Sequence, residues 1–184
     1  GASFVAVLIA LACLRTAELR SNARARRARG SFTEGFRYVW GRPDLKAILV
    51  MLFLIGTFGL NFPIFISTMA VGVFHTDAQG YGLLSSAMAI GTVAGSLLNA
   101  SREKPRFQLL LTGSAIFGLG CAVSAIAPGY WFFAAALVVT GMAALTITNT
   151  SNSLMQLSTE PAMRGRVMAL RVAIALGGTP IGAP

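Results

Sequence analysis

Beyond Lys46 the chain alternates long uncharged stretches with narrow charged bands. Ala47 to Thr76 runs for 30 residues without a charge, Ala78 to Ser101 for 24, and Phe107 to Thr159 for 53. A helix of about 20 apolar residues crosses the roughly 30 Å hydrocarbon core of a bilayer. The third stretch would reach roughly 80 Å as one helix, so it must fold back on itself. Its break is Ala127-Pro128-Gly129-Tyr130, a turn signal followed by Trp131 and Phe132, where an interfacial aromatic belt would lie. The pattern predicts an all-α, polytopic transmembrane helical bundle with complete spans near 47–72, 80–101, 107–127 and 131–157.

Two shorter apolar runs flank these spans. Residues 1–14 read as the end of a truncated transmembrane helix, since no basic region precedes them and arginines follow where a secretory signal would be cleaved. Residues 167–184 run apolar to the last position and read as a second truncated span. The expectation is a fragment of a longer chain.

Composition fits this picture. The chain is 55% apolar and only 11% charged, with a mean hydropathy of +0.70, whereas soluble domains carry about 25% charged residues. The net charge of +9 would suit a nucleic-acid binder, but its placement argues otherwise. Residues 15–46 carry nine basic and three acidic residues, 102–106 three basic and one acidic, and 160–171 three basic and one acidic, while Asp77 stands alone. Basic connections therefore alternate with uncharged or acidic ones, as a topology with Lys and Arg retained on the cytoplasmic side requires. Loops 15–46, 102–106 and 158–166 are expected to be cytoplasmic in a multi-pass protein of the cell inner membrane, with 73–79 and 128–130 outside. The expected partners are the lipid bilayer and a small-molecule substrate, with no nucleic acid.

The segment 15–46 divides in two. Arg20 to Gly30 is an Arg/Ala stretch without apolar periodicity, which suits a cytoplasmic linker. Phe32, Phe36, Val39 and Trp40 then recur at helical spacing, predicting an amphipathic helix along the inner membrane face.

Polar residues inside the spans are the candidate site. Thr146, Asn149, Ser153 and Gln156 are spaced 3, 4 and 3 apart and share one helical face, with Asn152 adjacent. Such amides and hydroxyls either line a substrate cavity or hydrogen-bond neighbouring helices. Asn61 beside Pro63 carries the same two readings, because a proline frees a backbone carbonyl that the amide can satisfy. Ala87, Gly91, Gly95 and Asn99 recur every fourth position, a small-residue stripe for close helix packing. Ser158 or Thr159 reads as the cap of the last helix, with Pro161 in its first turn. Arg164 and Arg166 follow at the inner surface, and Arg171 lies about 7.5 Å deeper, within snorkelling reach.

Several classes of chemistry lack their residues. No Asp or Glu lies within a span, so no carboxylate there serves proton coupling. There is no Gly-rich phosphate loop ending in Lys and Ser or Thr. Cys13 and Cys121 sit in apolar runs, His75 stands beside Asp77 at an outer flank, and Ser67, His75 and Asp77 have no triad spacing. Neither an enzyme nor a cofactor or metal site is expected.

The run Glu34-Gly35-Phe36-Arg37-Tyr38-Val39-Trp40-Gly41-Arg42-Pro43-Asp44-Leu45-Lys46 resembles the entry to the seventh span of bacterial major facilitator superfamily exporters, in the branch of the enterobactin exporter and related drug-efflux permeases. Phe58-Gly59-Leu60-Asn61-Phe62-Pro63 and Gly80-Tyr81-Gly82-Leu83-Leu84 are similar to that branch's seventh and eighth spans. Asn152, Gln156 and Glu160-Pro161-Ala162-Met163-Arg164-Gly165-Arg166-Val167-Met168 resemble its tenth span and next inner loop, and Gly178-Thr179-Pro180-Ile181-Gly182 the start of its eleventh. The resemblance implies the end of span six to most of span eleven of a twelve-span fold, partnered by a missing N-terminal half. Substrate would lie between two six-span halves. It implies a secondary transporter, an exporter or antiporter of a drug or siderophore, with Arg102, Arg106, Arg164, Arg166 and Arg171 in gating contacts and Gly178 and Gly182 in helix packing. In the loop Gly95 to Arg106 the family's usual acidic position is uncharged, with Asn99 in its place. A non-transporting scaffold or assembly subunit is the alternative.

Overall fold

In the computed structural model of the protein, residues 5, 31–59, 61–101 and 105–178 are described. The chain divides into two units, Gly1–Ser31 and Phe32–Pro184, and the architecture below is that of the second. The expectations for 1–14 and for the linker at 20–30 lie outside the described residues.

The elements, all helical among the described residues, are α1 (Ser31–Trp40), α2 (Pro43–Phe58), α3 (Phe62–Thr68), α4 (Ala78–Ala100), α5 (Phe107–Ala125), α6 (Tyr130–Ser158) and α7 (Arg164–Gly177). α3 continues as a wider π turn over Met69–Val73. Four stretches are long and apolar enough to cross a membrane: Pro43–Val73, α4, α5 and α6.

Local chemistry explains the ends. Pro43 opens α2, where its missing N–H costs nothing. Asp44 in the first turn takes a two-pronged contact from Arg42, at 3.1 Å from Nε and 2.8 Å from Nη2, which holds Arg42 above the ordinary arginine pKa. Asp77 caps α4, its carboxylate accepting from the amides of Gln79 and Gly80 at 3.1 Å each. His75, just before it, takes a left-handed backbone conformation at φ 51° and turns the chain out of the π segment. The reversal between α5 and α6 falls at Pro128 and Gly129, with Gly129 extended as the residue before α6. At the other end of α6 the hydroxyl of Thr159 donates to Met155 O at 2.5 Å. Thr159 thus closes α6 and does not cap the next helix, and Ser158 is the last residue of α6. A turn in which Glu160 O accepts from the amides of Met163 and Arg164 intervenes, and α7 starts only at Arg164.

The expected span near 47–72 is broken. α2 ends at Phe58 and α3 begins at Phe62. Pro63 lacks the N–H that would continue the ladder, and the Asn61 side-chain amide donates to Thr57 O at 3.4 Å, covering one of the carbonyls left open. Phe62 meets Phe117 of α5 edge to face at 5.8 Å, in the space kept open by Gly59, where a Cβ would collide with the Phe117 ring.

Glycines set the helix spacing. Gly91 of α4 lies so close to α6 that a Cβ would run into the Val138 carbonyl, and a Cβ on Gly95 would stand 2.7 Å from Met142 O. From the α6 side, a Cβ on Gly141 would stand 2.5 Å from Met88 O. α2 and α7 approach in the same way, with Gly56 beside Ala175 O and Gly178 beside the Thr57 hydroxyl. Leu84, Leu110, Ile147 and Met155 fill the centre. At the opposite end from α1, Phe74 packs against Tyr130 and Phe133, and the Tyr130 hydroxyl donates to Gly80 O at 2.8 Å.

The amphipathic helix α1 divides its apolar residues between two environments. Val39 is buried at 2% exposure, while Phe36 and Trp40 remain 43% and 56% exposed.

Candidate functional site

A cavity of about 300 Å³ opens between the end of α4, the start of α5 and the last third of α6. Ser96 and Asn99 come from α4, Pro105 and Leu109 from the entry to α5, and Asn149, Thr150, Asn152 and Ser153 from α6. At about 30 Å³ per molecule it has room for roughly ten waters.

The lining is polar without formal charge. Two of its atoms, Asn99 Nδ2 and Thr150 Oγ1, are buried and have no hydrogen-bond partner among the described residues. Thr150 is 2% exposed. An unsatisfied buried polar group costs about 1–3 kcal/mol, so these two atoms leave hydrogen-bonding capacity unused in the cavity wall. The position of Asn99 explains the cavity. The stripe of Gly91 and Gly95 brings α4 onto α6, and one turn further the amide of Asn99 takes the place of a glycine. Ala87, half-buried, stands on the same stripe one turn before Gly91.

Asn149, Asn152 and Ser153 thus meet in one cavity, and three other candidates stand apart from it. Thr146 turns its hydroxyl back to Met142 O at 2.9 Å, in its own helix. Gln156 is half-buried one turn beyond Ser153. Asn61, 4% exposed, serves the broken helix as described above. Ser96, Asn99 and Thr150 join the lining without having been selected for it. Ser96 and Asn99 are three apart on α4, a spacing that places two polar groups on one face, and this was the available signal.

The other face of α6 holds Arg171. Its Nη2 donates to Thr148 O at 3.1 Å and to the Ser151 hydroxyl at 3.3 Å, while its buried Nε has no partner among the described residues. Arg171 therefore ties α7 to α6.

Of the remaining basic candidates, Arg166 reaches α1. Arg166 Nη1 stands 3.0 Å from Glu34 Oε2. Gly35 of α1 lies against the same residue, with room for a Cβ only 3.2 Å from Arg166 Cβ. The Glu160 amide donates to the Tyr38 hydroxyl at 3.4 Å, and Arg42 Nη2 donates to Ser158 O at the same distance. The segment from Ser158 to Arg166 is thereby pinned to α1 and to Arg42 just beyond it. Arg164 and Arg106 are exposed. Gly178 is buried against Thr57, and Arg102 and Gly182 lie outside the described residues.

A family model described as transmembrane secretion effector matches residues 1–183. No curated protein and no solved structure matches the chain.

Proposed function

The chain belongs to the transmembrane secretion effector family of major facilitator transporters, and from that membership we propose that it exports a small amphipathic molecule, such as a drug or a siderophore, by alternating access. The polar, uncharged cavity between α4, α5 and α6 is the observation that carries this reading. Its Asn149, Asn152 and Ser153 side chains, with Asn99 and Thr150 in the same wall, offer both donors and acceptors to a neutral polar group of the solute. The apolar helices around them would hold the rest of an amphipathic molecule.

The partner across this half is the other half of the same transporter, and the run from Glu34 to Lys46 supports a place in the branch of the enterobactin exporter. The protein sits in the cell inner membrane with 15–46, 102–106 and 158–166 on the cytoplasmic side, supported by the recurrence of basic residues in those segments. Arg166, paired with Glu34, and the exposed Arg164 beside it are the residues read in gating contacts with the other half. No carboxylate lies in α4, α5 or α6, so in an antiporter the proton relay is carried elsewhere. No enzymatic step belongs to this reading.

The test is efflux of a loaded fluorescent drug panel from vesicles holding the full-length protein. Asn149→Leu is expected to lower efflux at normal expression. Unchanged efflux in this variant would sink the cavity assignment, and a wild type that moves no compound would favour the scaffold.

A further inference from the structure

The outward face of α1 carries a feature that transport does not use. Its inward face is fully engaged, with Val39 buried, Gly35 against Arg166, and Glu34 and Tyr38 held by Arg166 and Glu160. The helix is thus fixed in place and presents Phe36 and Trp40 away from the bundle, their rings stacked at 4.8 Å. The Lys46 ammonium sits over the Trp40 ring, 4.5 Å from its centroid.

Beside this aromatic ridge runs an apolar groove of about 180 Å³, lined by Phe36, Trp40, Val50, Phe53 and Ile174, with Lys46 at its rim. On the ridge's other side a shallower concavity is bounded by Thr33 and Arg37. The charges here do not cancel. The two acids of the segment are both engaged, Glu34 by Arg166 and Asp44 by Arg42. Arg37 and Lys46 have no carboxylate partner among the described residues. Two cations without a carboxylate partner among the described residues therefore flank an aromatic ridge and an apolar groove at the entry to a membrane span.

We propose that this face is a binding site for one anionic phospholipid, its phosphate held by Lys46 at the groove rim, with Arg37 adding positive charge across the ridge, and one acyl chain laid along the groove between α1 and α2. A zwitterionic lipid would bring its own ammonium against the two cations, so charge complementarity selects the anionic headgroup. The stacked rings suit the boundary between headgroup and acyl chain, where aromatic side chains concentrate. The site depends only on membrane placement and stands or falls apart from the export reading.

The test places the full-length protein in phosphatidylcholine nanodiscs with a small equal fraction of photoreactive phosphatidylglycerol or photoreactive phosphatidylcholine, each with the reactive group on an acyl chain. Adducts are mapped by peptide mass spectrometry. The expected result is labelling of the peptides holding Phe36, Trp40, Val50 or Phe53 at least about five-fold higher with the anionic probe, and a loss of about five-fold in that preference in Lys46→Gln. Equal labelling by both probes would reduce the site to ordinary bilayer contact, and no labelling by either would mean that protein covers the face. Both results overturn the proposal. The wild-type comparison of the two probes needs no variant to fold.

Discussion

The Glu34 carboxylate stands 3.0 Å from the Arg166 guanidinium, so the helix that precedes the first described span is fastened to the helix that follows the last. Glu34 is 54% exposed and Arg166 20%, and pairs this wet contribute about 0.2–1 kcal/mol. Glu34→Arg and Arg166→Glu are each expected to lower the melting midpoint in detergent slightly, and the double exchange to recover most of the loss. A double variant no better than the sum of the singles would show the pair to be energetically idle.

The glycines of α4 and α5 make opposite predictions. Gly91→Ala would push a methyl group into the Val138 carbonyl, an overpacking expected to cost about 3 kcal/mol or more. Gly118 of α5 has nothing within 4 Å of its missing Cβ, so Gly118→Ala is expected to add about 0.5 kcal/mol by removing a flexible residue from a helix interior. Thermal unfolding of the two variants side by side measures the contrast.

The cavity makes a prediction that separates stability from transport. Thr150→Val removes a hydroxyl that has no partner among the described residues, so stability should change by no more than about 1 kcal/mol. If the solute supplies the missing hydrogen bond, its KM should rise about ten-fold, the equivalent of about 1.4 kcal/mol. An unchanged KM in vesicle efflux would leave the hydroxyl outside the binding step.

Topology can be read with a thiol reagent that does not cross membranes. Asp77 caps α4, and its loss would cost about 1 kcal/mol, so the exposed neighbour is the better reporter. Ala78→Cys in intact cells is expected to react from outside. Reaction only after the cells are opened would reverse the proposed orientation.

The long helices were legible because lipid thickness and the cost of charge in hydrocarbon act on each span by itself. The turn at Pro128 and Gly129 could be found in the same way, since it needs no knowledge of neighbours. Features that depend on a second helix were harder to read. Pro63 marked a weakness in its span, yet the helix gives way at Gly59, which makes room for Phe117, and at Asn61, which covers Thr57 O. The spacing of Phe36, Val39 and Trp40 showed an amphipathic helix but not that Val39 would go to the protein and the two rings away from it. Asn99 and Thr150 share a cavity only because Gly91 and Gly95 set the crossing of α4 on α6. The family resemblance named the exporter class from residues such as Arg164 and Arg166, and the match over residues 1–183 agrees at the level of the superfamily.

The connection between α5 and α6 holds Pro128 and Gly129 and no ionic group. Placing a charged residue at the centre of a spanning helix costs about 2.5–3.5 kcal/mol, and this connection carries no such residue to be drawn into the hydrocarbon. On the proposed topology the two helices would leave the translocon together as a hairpin, with the contact between Gly120 and Thr140 across it, while the basic residues on either side of the pair would stay behind and set which way it faces.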